Sequence, residues 1–179
     1  MSKIITEHLL EALTTNFQSQ KRLAERAMAQ LDDAELRVAT AEDNSIVVIV
    51  KHLHGNMRSR WRDFLTTDGE KPDRQRDAEF IGDIVSRDVL MSLWVEGWQT
   101  LFEALDTVKE DNLLATVTVR GQPRSVLEAI LRQLTHYSNH VGQIVYIAKS
   151  LKGDAWQSLS IPKGQSQRYT PDEPNKGRY

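Results

Sequence analysis

Apolar residues recur at steps of three and four along most of this chain, which is the period of amphipathic α-helices. Four stretches keep this period and predict four helices, at about Lys3 to Gln30, Ile46 to Thr66, Ser86 to Val108 and Ser125 to Leu151. Ser45 is a good N-cap for the second helix, and Gly153 fits a C-cap for the fourth. Four long helices joined by loops favour an all-α protein folded as an up-down four-helix bundle.

The apolar faces of the predicted helices supply a candidate core. On the second helix this face comprises Ile46, Ile49, Val50, Leu53, Met57, Trp61 and Phe64. On the third helix it comprises Val89, Leu90, Leu93, Trp94, Trp98, Leu101, Phe102 and Leu105. Trp94 and Trp98 share one side of the helix, and core filling is their simplest role. The two tryptophans and the apolar parts of helices 1 and 3 also offer more hydrophobic surface than one bundle needs, which predicts a homodimer.

The segments between the helices differ in character. Residues 32–44 are polar and acidic and predict a simple connection, whereas residues 70–83 carry many charges and predict a long surface loop of a kind that is often functional. Residues 116–119 alternate threonine with valine before a turn sequence, which predicts a short extended segment or half of a hairpin before helix 4. We interpret the chain as one domain, 1–179, with a core at about 3–152 and an irregular tail over 153–179.

Composition narrows the classes of protein and of site. The 179 residues are 40% hydrophobic and 27% charged, and the formal net charge of -2 provides no overall field that would attract nucleic acid. The longest apolar run, Ile46 to Val50, is too short to span a bilayer, and the N-terminal sequence lacks a signal-peptide pattern. We therefore expect a cytoplasmic protein without nucleic-acid or membrane partners. Because the chain has no cysteine, any metal must be bound by His, Asp or Glu.

A pair of histidines on predicted helix 4 is the first candidate for chemistry. His136 and His140 are four residues apart, so both imidazoles can face one ion from the same side of the helix. The pair alone is weak evidence, because this spacing also arises among surface and core residues. The zinc-peptidase motif needs a glutamate after the first histidine, and Tyr137 stands there, which disfavours a metalloprotease.

A third ligand has two candidates on predicted helix 2. Three imidazoles and one open coordination position are typical of catalytic sites. His52 and His54 are two residues apart, roughly 200° around the helix axis, so only one of them can face a given point. Periodicity favours His54, which lies nearer the apolar stripe of Leu53 and Met57, but it does not exclude His52.

The sequence around these histidines also resembles a known superfamily. The resemblance rests on Lys51-His52-Leu53, Gly55-Asn56-Met57, Arg60-Trp61, and the string His136-Tyr-Ser-Asn-His-Val-Gly-Gln-Ile-Val-Tyr146. Together these strings resemble the DinB-like superfamily and, within it, a branch labelled as a domain of unknown function. Residues 64–72 and 117–121 are similar to the same branch, and the likeness extends from helix 1 to the tail.

The resemblance implies both a fold and a ligand set. It implies the DinB-like four-helix bundle, in which a histidine before an aliphatic residue on the second helix joins a His-x-x-x-His pair on the fourth. Transferred to this chain, it selects His52, His136 and His140 and leaves His54 outside the site. Three neutral imidazoles suit a divalent ion such as zinc or nickel. Asn56, Asn139 and Gln143 are candidate acceptors for the remaining ring N–H groups, and His8 is expected to be an ordinary solvated residue.

For function, the resemblance implies a metal-dependent enzyme acting on a small molecule. Related DinB-like proteins include thiol S-transferases, a thiol-dependent isomerase and proposed hydrolases. In a transferase the metal would deprotonate the sulfur of a low-molecular-weight thiol, because this chain has no cysteine nucleophile of its own. The candidates for binding the acidic end of that thiol are Arg58, Arg60, Arg62 and Arg120. The alternative is a non-catalytic stress-response or binding protein in which a structural metal joins helices 2 and 4.

Overall fold

The computed structural model describes residues 3–39, 44–84 and 86–168, and within them the chain is mostly helical. These residues form four α-helices, namely α1 (Lys3–Met28), α2 (Ile46–Trp61), α3 (Arg87–Asp106) and α4 (Val126–Lys152). Between α3 and α4 lies an antiparallel hairpin of β1 (Thr116–Val119) and β2 (Gln122–Ser125). The predicted mostly helical class is confirmed, and the segment predicted to be a short extended stretch or half of a hairpin is one strand of a hairpin.

Each helix packs against two others. α1 contacts α4 and α3, and α2 contacts α3 and α4. The core between them contains an aromatic cluster, in which the Trp98 ring lies 5.4 Å from Trp94, 6.4 Å from Phe17 and 5.8 Å from Tyr137. Trp94 is 2% exposed and Trp98 0%, so neither supplies surface for a second subunit. The argument for a homodimer from these two side chains is therefore wrong, and the dimer itself stays a prediction.

The helix ends follow local hydrogen bonds. The Ser45 hydroxyl accepts from the Val48 N–H at 3.2 Å, as predicted for the N-cap of α2. Ser125 and Glu128 form a reciprocal capping box at the start of α4, and Gly153 ends this helix with φ 52°.

Two expectations about α2 and α3 need correction. α2 ends at Trp61 and not near Thr66, because Asp63 adopts a positive φ of 50° and its carbonyl accepts from the N–H groups of Thr66 and Thr67. On α3, Val89 was predicted to be in the core but is exposed, and the buried face of this helix begins at Leu90.

The segment after α2 is held against the hairpin. Gly69 N–H donates to the Thr118 carbonyl at 2.9 Å, and the Asp68 carboxylate accepts from the N–H groups of Arg120 and Gly121 at 2.8 and 2.7 Å. Arg120 and Gly121 form the two-residue turn, with φ of 56° and 69°, as a type I′ hairpin turn requires. These contacts fix the position of Arg120 relative to α2.

The predicted surface loop over 70–83 is partly wrong. It contains a short 3₁₀ turn, Asp77–Phe80, and two of its charged residues, Lys71 and Glu79, are buried. The buried Lys71 amine donates to the carbonyls of Ser59 and Asp68, which offsets part of the cost of burying its charge. The segment therefore supplies interior groups to the site as well as surface charge.

The described part of the predicted tail contacts the rest of the fold. The side chain of Gln30 on the loop after α1 makes two hydrogen bonds to the backbone of Gln157 in the tail. Residues 169–179 of the predicted tail and 40–43 of the predicted connection lie outside the described residues. Among the described helices, none is long and apolar enough to cross a membrane.

Candidate metal centre

Three histidine side chains converge between α2 and α4. His136 Nε2 lies 3.4 Å from His52 Nε2 and 3.1 Å from His140 Nε2, and one ring nitrogen of each residue falls within 4.8 Å of the other two. Two imidazoles bound to one tetrahedral ion at 2.0 to 2.1 Å would bring their nitrogens to about 3.3 Å of each other. The spacing therefore fits a group that could hold a metal ion. In the part of the chain that the structure describes, no Asp or Glu belongs to this group.

The outer ring nitrogens of two of these histidines face acceptors. His52 Nδ1 lies 3.0 Å from Glu79 Oε2, and His140 Nδ1 lies 2.7 Å from Gln143 Oε1. Because both partners accept, each Nδ1 carries the proton when the ring is neutral, and each Nε2 presents a lone pair toward His136. Gln143 is thus the one predicted amide partner that contacts a histidine of this group.

Hydrogen bonds among the three rings cannot satisfy both of these lone pairs. His136 Nε2 can carry at most one proton, so it can donate to His52 or to His140 but not fully to both. Its own Nδ1 is buried without a hydrogen-bond partner among the described residues. A divalent cation between the rings would accept all three lone pairs at once. The three Nε2 atoms are therefore better satisfied by a metal ion than by hydrogen bonds to one another.

The charge states of the rings suit the same interpretation. Burial, with the neighbouring charges of His140 and His52, lowers the pKa of His136 to about 3. Burial also lowers the pKa of His140, although its hydrogen bond to Gln143 opposes the shift. His136 and His140 are therefore neutral at pH 7, which is the form that binds a metal.

A buried ion pair orients His52. Arg74 donates to both carboxylate oxygens of Glu79, at 2.7 and 2.8 Å, and Glu79 in turn accepts from His52. Burial raises the pKa of Glu79, but the hydrogen bonds from Arg74 and His52 outweigh it and hold the pKa below its usual value. The carboxylate therefore stays ionised and acceptor-only, and it fixes both the tautomer and the direction of the His52 ring.

Gly55 makes room for this arrangement on α2. A Cβ at this position would lie 2.6 Å from Cδ of Glu79, closer than real Cβ atoms approach. The Glu79 carboxylate can therefore reach His52 only because Gly55, one turn further along α2, has no side chain. Glu79 and Arg74 were not predicted from the sequence, and the glycine inside an apolar helix was the one signal that pointed to a close approach.

The remaining candidate residues lie elsewhere. His54 faces α3, where its Nε2 is 3.2 Å from Glu96 but lacks the alignment of a hydrogen bond, and burial lowers its pKa. Asn56 accepts from the buried Tyr137 hydroxyl and not from a ring of the cluster. Asn139 and His8 are exposed.

The four candidate arginines divide between two clefts. Arg60 and Arg120 line a cavity of about 520 Å³ that His52 and His136 border. Arg58 and Arg62 line a separate cleft of about 320 Å³ on the side of His54. Only the first pair is therefore placed to contact a molecule that also reaches the three histidines.

Comparison with known proteins gives a family and no further relative. The family described as "Protein of unknown function (DUF1572)" matches residues 4–165. No curated protein and no solved structure matches the chain significantly.

Proposed function

The chain belongs to the DUF1572 family of proteins of unknown function, and we propose that it is a metal-dependent enzyme acting on a small molecule. The observation that carries the proposal is the convergence of the three Nε2 atoms of His52, His136 and His140. We further propose that its four helices form the four-helix bundle of the DinB-like superfamily, and the contacts of each helix with two others support a bundle. The order of these contacts differs from the predicted simple up-down order, in which consecutive helices are neighbours, because α1 packs against α4 and α3 instead of α2.

The three histidines would hold the metal, and Glu79 and Gln143 would orient two of them. Zinc or nickel fits three neutral imidazoles. Such an ion supplies a Lewis acid and lowers the pKa of a bound water or thiol. Three protein ligands support a catalytic role over a structural one, since structural zinc sites are usually closed by a fourth protein ligand.

Thiol transfer is the reaction type that the surrounding residues favour. No Asp or Glu lines the described cavity beside His52 and His136, so this wall offers no carboxylate base to activate water. Tyr137, next to His136, is fully buried, and its hydroxyl is hydrogen-bonded to Trp61 and Asn56. Burial raises its pKa, so Tyr137 stays neutral and offers no base either. A low-molecular-weight thiol would bring its own nucleophile. Hydrolysis is the second reaction type that the superfamily resemblance implies.

Metal binding is the first experimental test. Purified full-length protein should bind one zinc or nickel ion per chain by elemental analysis, and His136→Ala should abolish this binding. His54→Ala is the matched control, because it removes a half-buried imidazole of α2 that faces α3 instead of the cluster. Retention of the metal by His136→Ala, or its loss in His54→Ala, would contradict the ligand assignment.

A cobalt-substituted sample tests the reaction type. Adding a small thiol such as 2-mercaptoethanol should produce a sulfur-to-cobalt charge-transfer band if thiols bind at the metal. A screen of thiol and electrophile pairs should then give conjugation that requires metal. A cobalt spectrum that does not change with thiol would argue against thiol transfer and favour hydrolysis.

A further inference from the structure

The cavity beside the histidines is lined mainly by arginine. Five guanidinium groups border its volume of about 520 Å³, those of Arg60, Arg74, Arg76, Arg120 and Arg132. They come from four parts of the chain: α2, the segment after it, the hairpin turn and α4. Cations from separate elements repel one another when they are gathered around one space, although solvent screens the exposed Arg76, Arg120 and Arg132 in part, so the space attracts negative charge.

The carboxylates of the described residues compensate only part of this charge. Glu70 pairs with Arg60 at 3.0 Å and with Arg120 at 2.9 Å, and it also lies 3.5 Å from Arg74. Glu79 pairs with Arg74.

The other two arginines of the cavity are free of such pairing. Arg76 and Arg132 have no carboxylate partner among the described residues. Five guanidinium charges thus face two carboxylates, and a divalent ion at the three histidines would add to the excess.

Three residues that line the cavity each have a buried polar atom without a partner among the described residues: besides His136, these are Arg60 and Gln133. Arg60 is 8% exposed and its Nε is buried without an acceptor, while Gln133 is 5% exposed and its Oε1 is buried without a donor. A buried donor or acceptor left unpaired costs about 1–3 kcal/mol, so such atoms usually have a partner. Arg60 needs an acceptor and Gln133 needs a donor. Both atoms are closed to the cavity as the side chains lie, so the unbalanced charge of the guanidinium groups, and not these two atoms, points to an anion.

We propose that this cavity binds the oxyanion end of a small-molecule ligand, either a phosphate or a carboxylate, next to the three histidines. A volume of about 520 Å³ is in the range of small-molecule sites, roughly 300–1,000 Å³. Guanidinium groups match the geometry of phosphate and carboxylate, which they bind through paired N–H groups. The other end of the ligand would reach the metal, and this part of the proposal rests on the proposed function. The anion site itself does not depend on it.

The test measures binding of inorganic phosphate and of succinate to the full-length protein, with and without zinc, by isothermal titration calorimetry in a low-salt buffer. The two probes distinguish a phosphate site from a carboxylate site. Arg76→Gln/Arg132→Gln should weaken binding of the preferred probe tenfold or more. This pair is chosen because neither arginine orients His52 or pairs with a carboxylate of the described residues.

The matched control is Arg58→Gln/Arg62→Gln, which removes the same charge from the separate cleft. It should leave the affinity for the probe within about threefold, and both double variants should bind zinc as the wild type does. An equal loss in the control would overturn the proposal, because the effect would then come from net charge. Absence of saturable binding by either probe would also overturn it. Phosphate or succinate binding by a protein that binds no zinc would support the anion site and overturn only the metal-dependent function.

Discussion

At the scale of single residues, the candidate ligands differ in how firmly they are oriented. His52 is hydrogen-bonded to the ionised carboxylate of Glu79, which Arg74 holds with two hydrogen bonds. His140 is hydrogen-bonded to the neutral amide of Gln143. Hydrogen bonds to charged groups are about twice as strong as those between neutral groups. His52 is therefore the most rigidly directed of the three rings, and Glu79 is the residue on which this direction depends.

Glu79→Gln is expected to lower zinc affinity by about 10- to 100-fold, the usual effect of removing an outer partner of a metal-binding histidine. The variant replaces an ionised carboxylate by a neutral amide. The amide binds Arg74 less well, and its NH2 group cannot accept a hydrogen bond from Arg74 or His52. Competition with a chromophoric chelator measures the affinity.

Glu96→Gln is the control for this prediction, because its carboxylate faces His54 instead of a member of the cluster. It should leave zinc affinity unchanged. Unchanged affinity in Glu79→Gln together with a lower melting temperature would mean that Glu79 only stabilises the fold.

The sequence predicted part of this site for clear physical reasons. The spacing of His136 and His140 within one helix fixes their relative position, so the pair could be recognised directly. Periodicity favoured His54 over His52, because it identifies the residues that point toward the centre of the core. The three-histidine site lies at the edge of the core, where this criterion does not apply. Resemblance selected His52, and His52 is the one that lies beside His136. Glu79 and Arg74 lie in a segment without helical period, so no spacing rule related them to His52.

At the scale of elements, the hairpin and the segment after α2 act as one unit. Asp68 joins them: its carboxylate accepts from the backbone of Glu70, Arg120 and Gly121. The type I′ turn places a non-glycine residue, Arg120, at a positive φ, and the two N–H bonds to Asp68 hold it there. The turn residues signalled a hairpin in the sequence. Its contact with the loop spans about 50 residues and could not be predicted from local pattern.

Asp68→Asn is expected to destabilise the protein by about 1 kcal/mol at pH 7, since an amide cannot accept from all three N–H groups. The backbone N–H groups of Glu70 and Gly121 lower the pKa of Asp68 from 3.8 to about 2. Because the folded pKa is the lower one, the stabilisation is fully present above pH 4 and is lost as the pH falls through 2. The difference between wild type and variant should therefore shrink between pH 4 and 2.

Urea unfolding at several pH values between 7 and 2 measures this difference. Asp111→Asn, which changes an exposed carboxylate in the loop before the hairpin, is the control and should change stability little at any pH. A difference for Asp68→Asn that is as large at pH 2 as at pH 7 would contradict a role for the ionised carboxylate.

At the scale of the whole molecule, the core and the candidate centre are separate. The apolar core joins all four helices around Phe17, Leu53, Trp98 and Ile144, whereas the three histidines lie at its edge between α2 and α4. The core was largely predictable, since every apolar position proposed for α2 is buried, but burial at the start of this helix is not confined to one face, because Ile46 to Val50 are all buried. Because this core is complete without the histidines, the fold should not need the metal.

His140→Ala tests this separation. The ring is half-buried and contacts His52, His136 and Gln143, so its removal should change the free energy of unfolding of the metal-free protein by less than about 1 kcal/mol. Wild-type protein should gain about 2.7 kcal/mol when free zinc is 100 times its dissociation constant, and the variant should gain almost none of it. Urea unfolding at buffered zinc concentrations measures both quantities, with His54→Ala as a control that keeps the gain. A structural metal would give the opposite pattern, because its binding free energy is then folding free energy and metal-free wild type would already be unfolded or strongly destabilised.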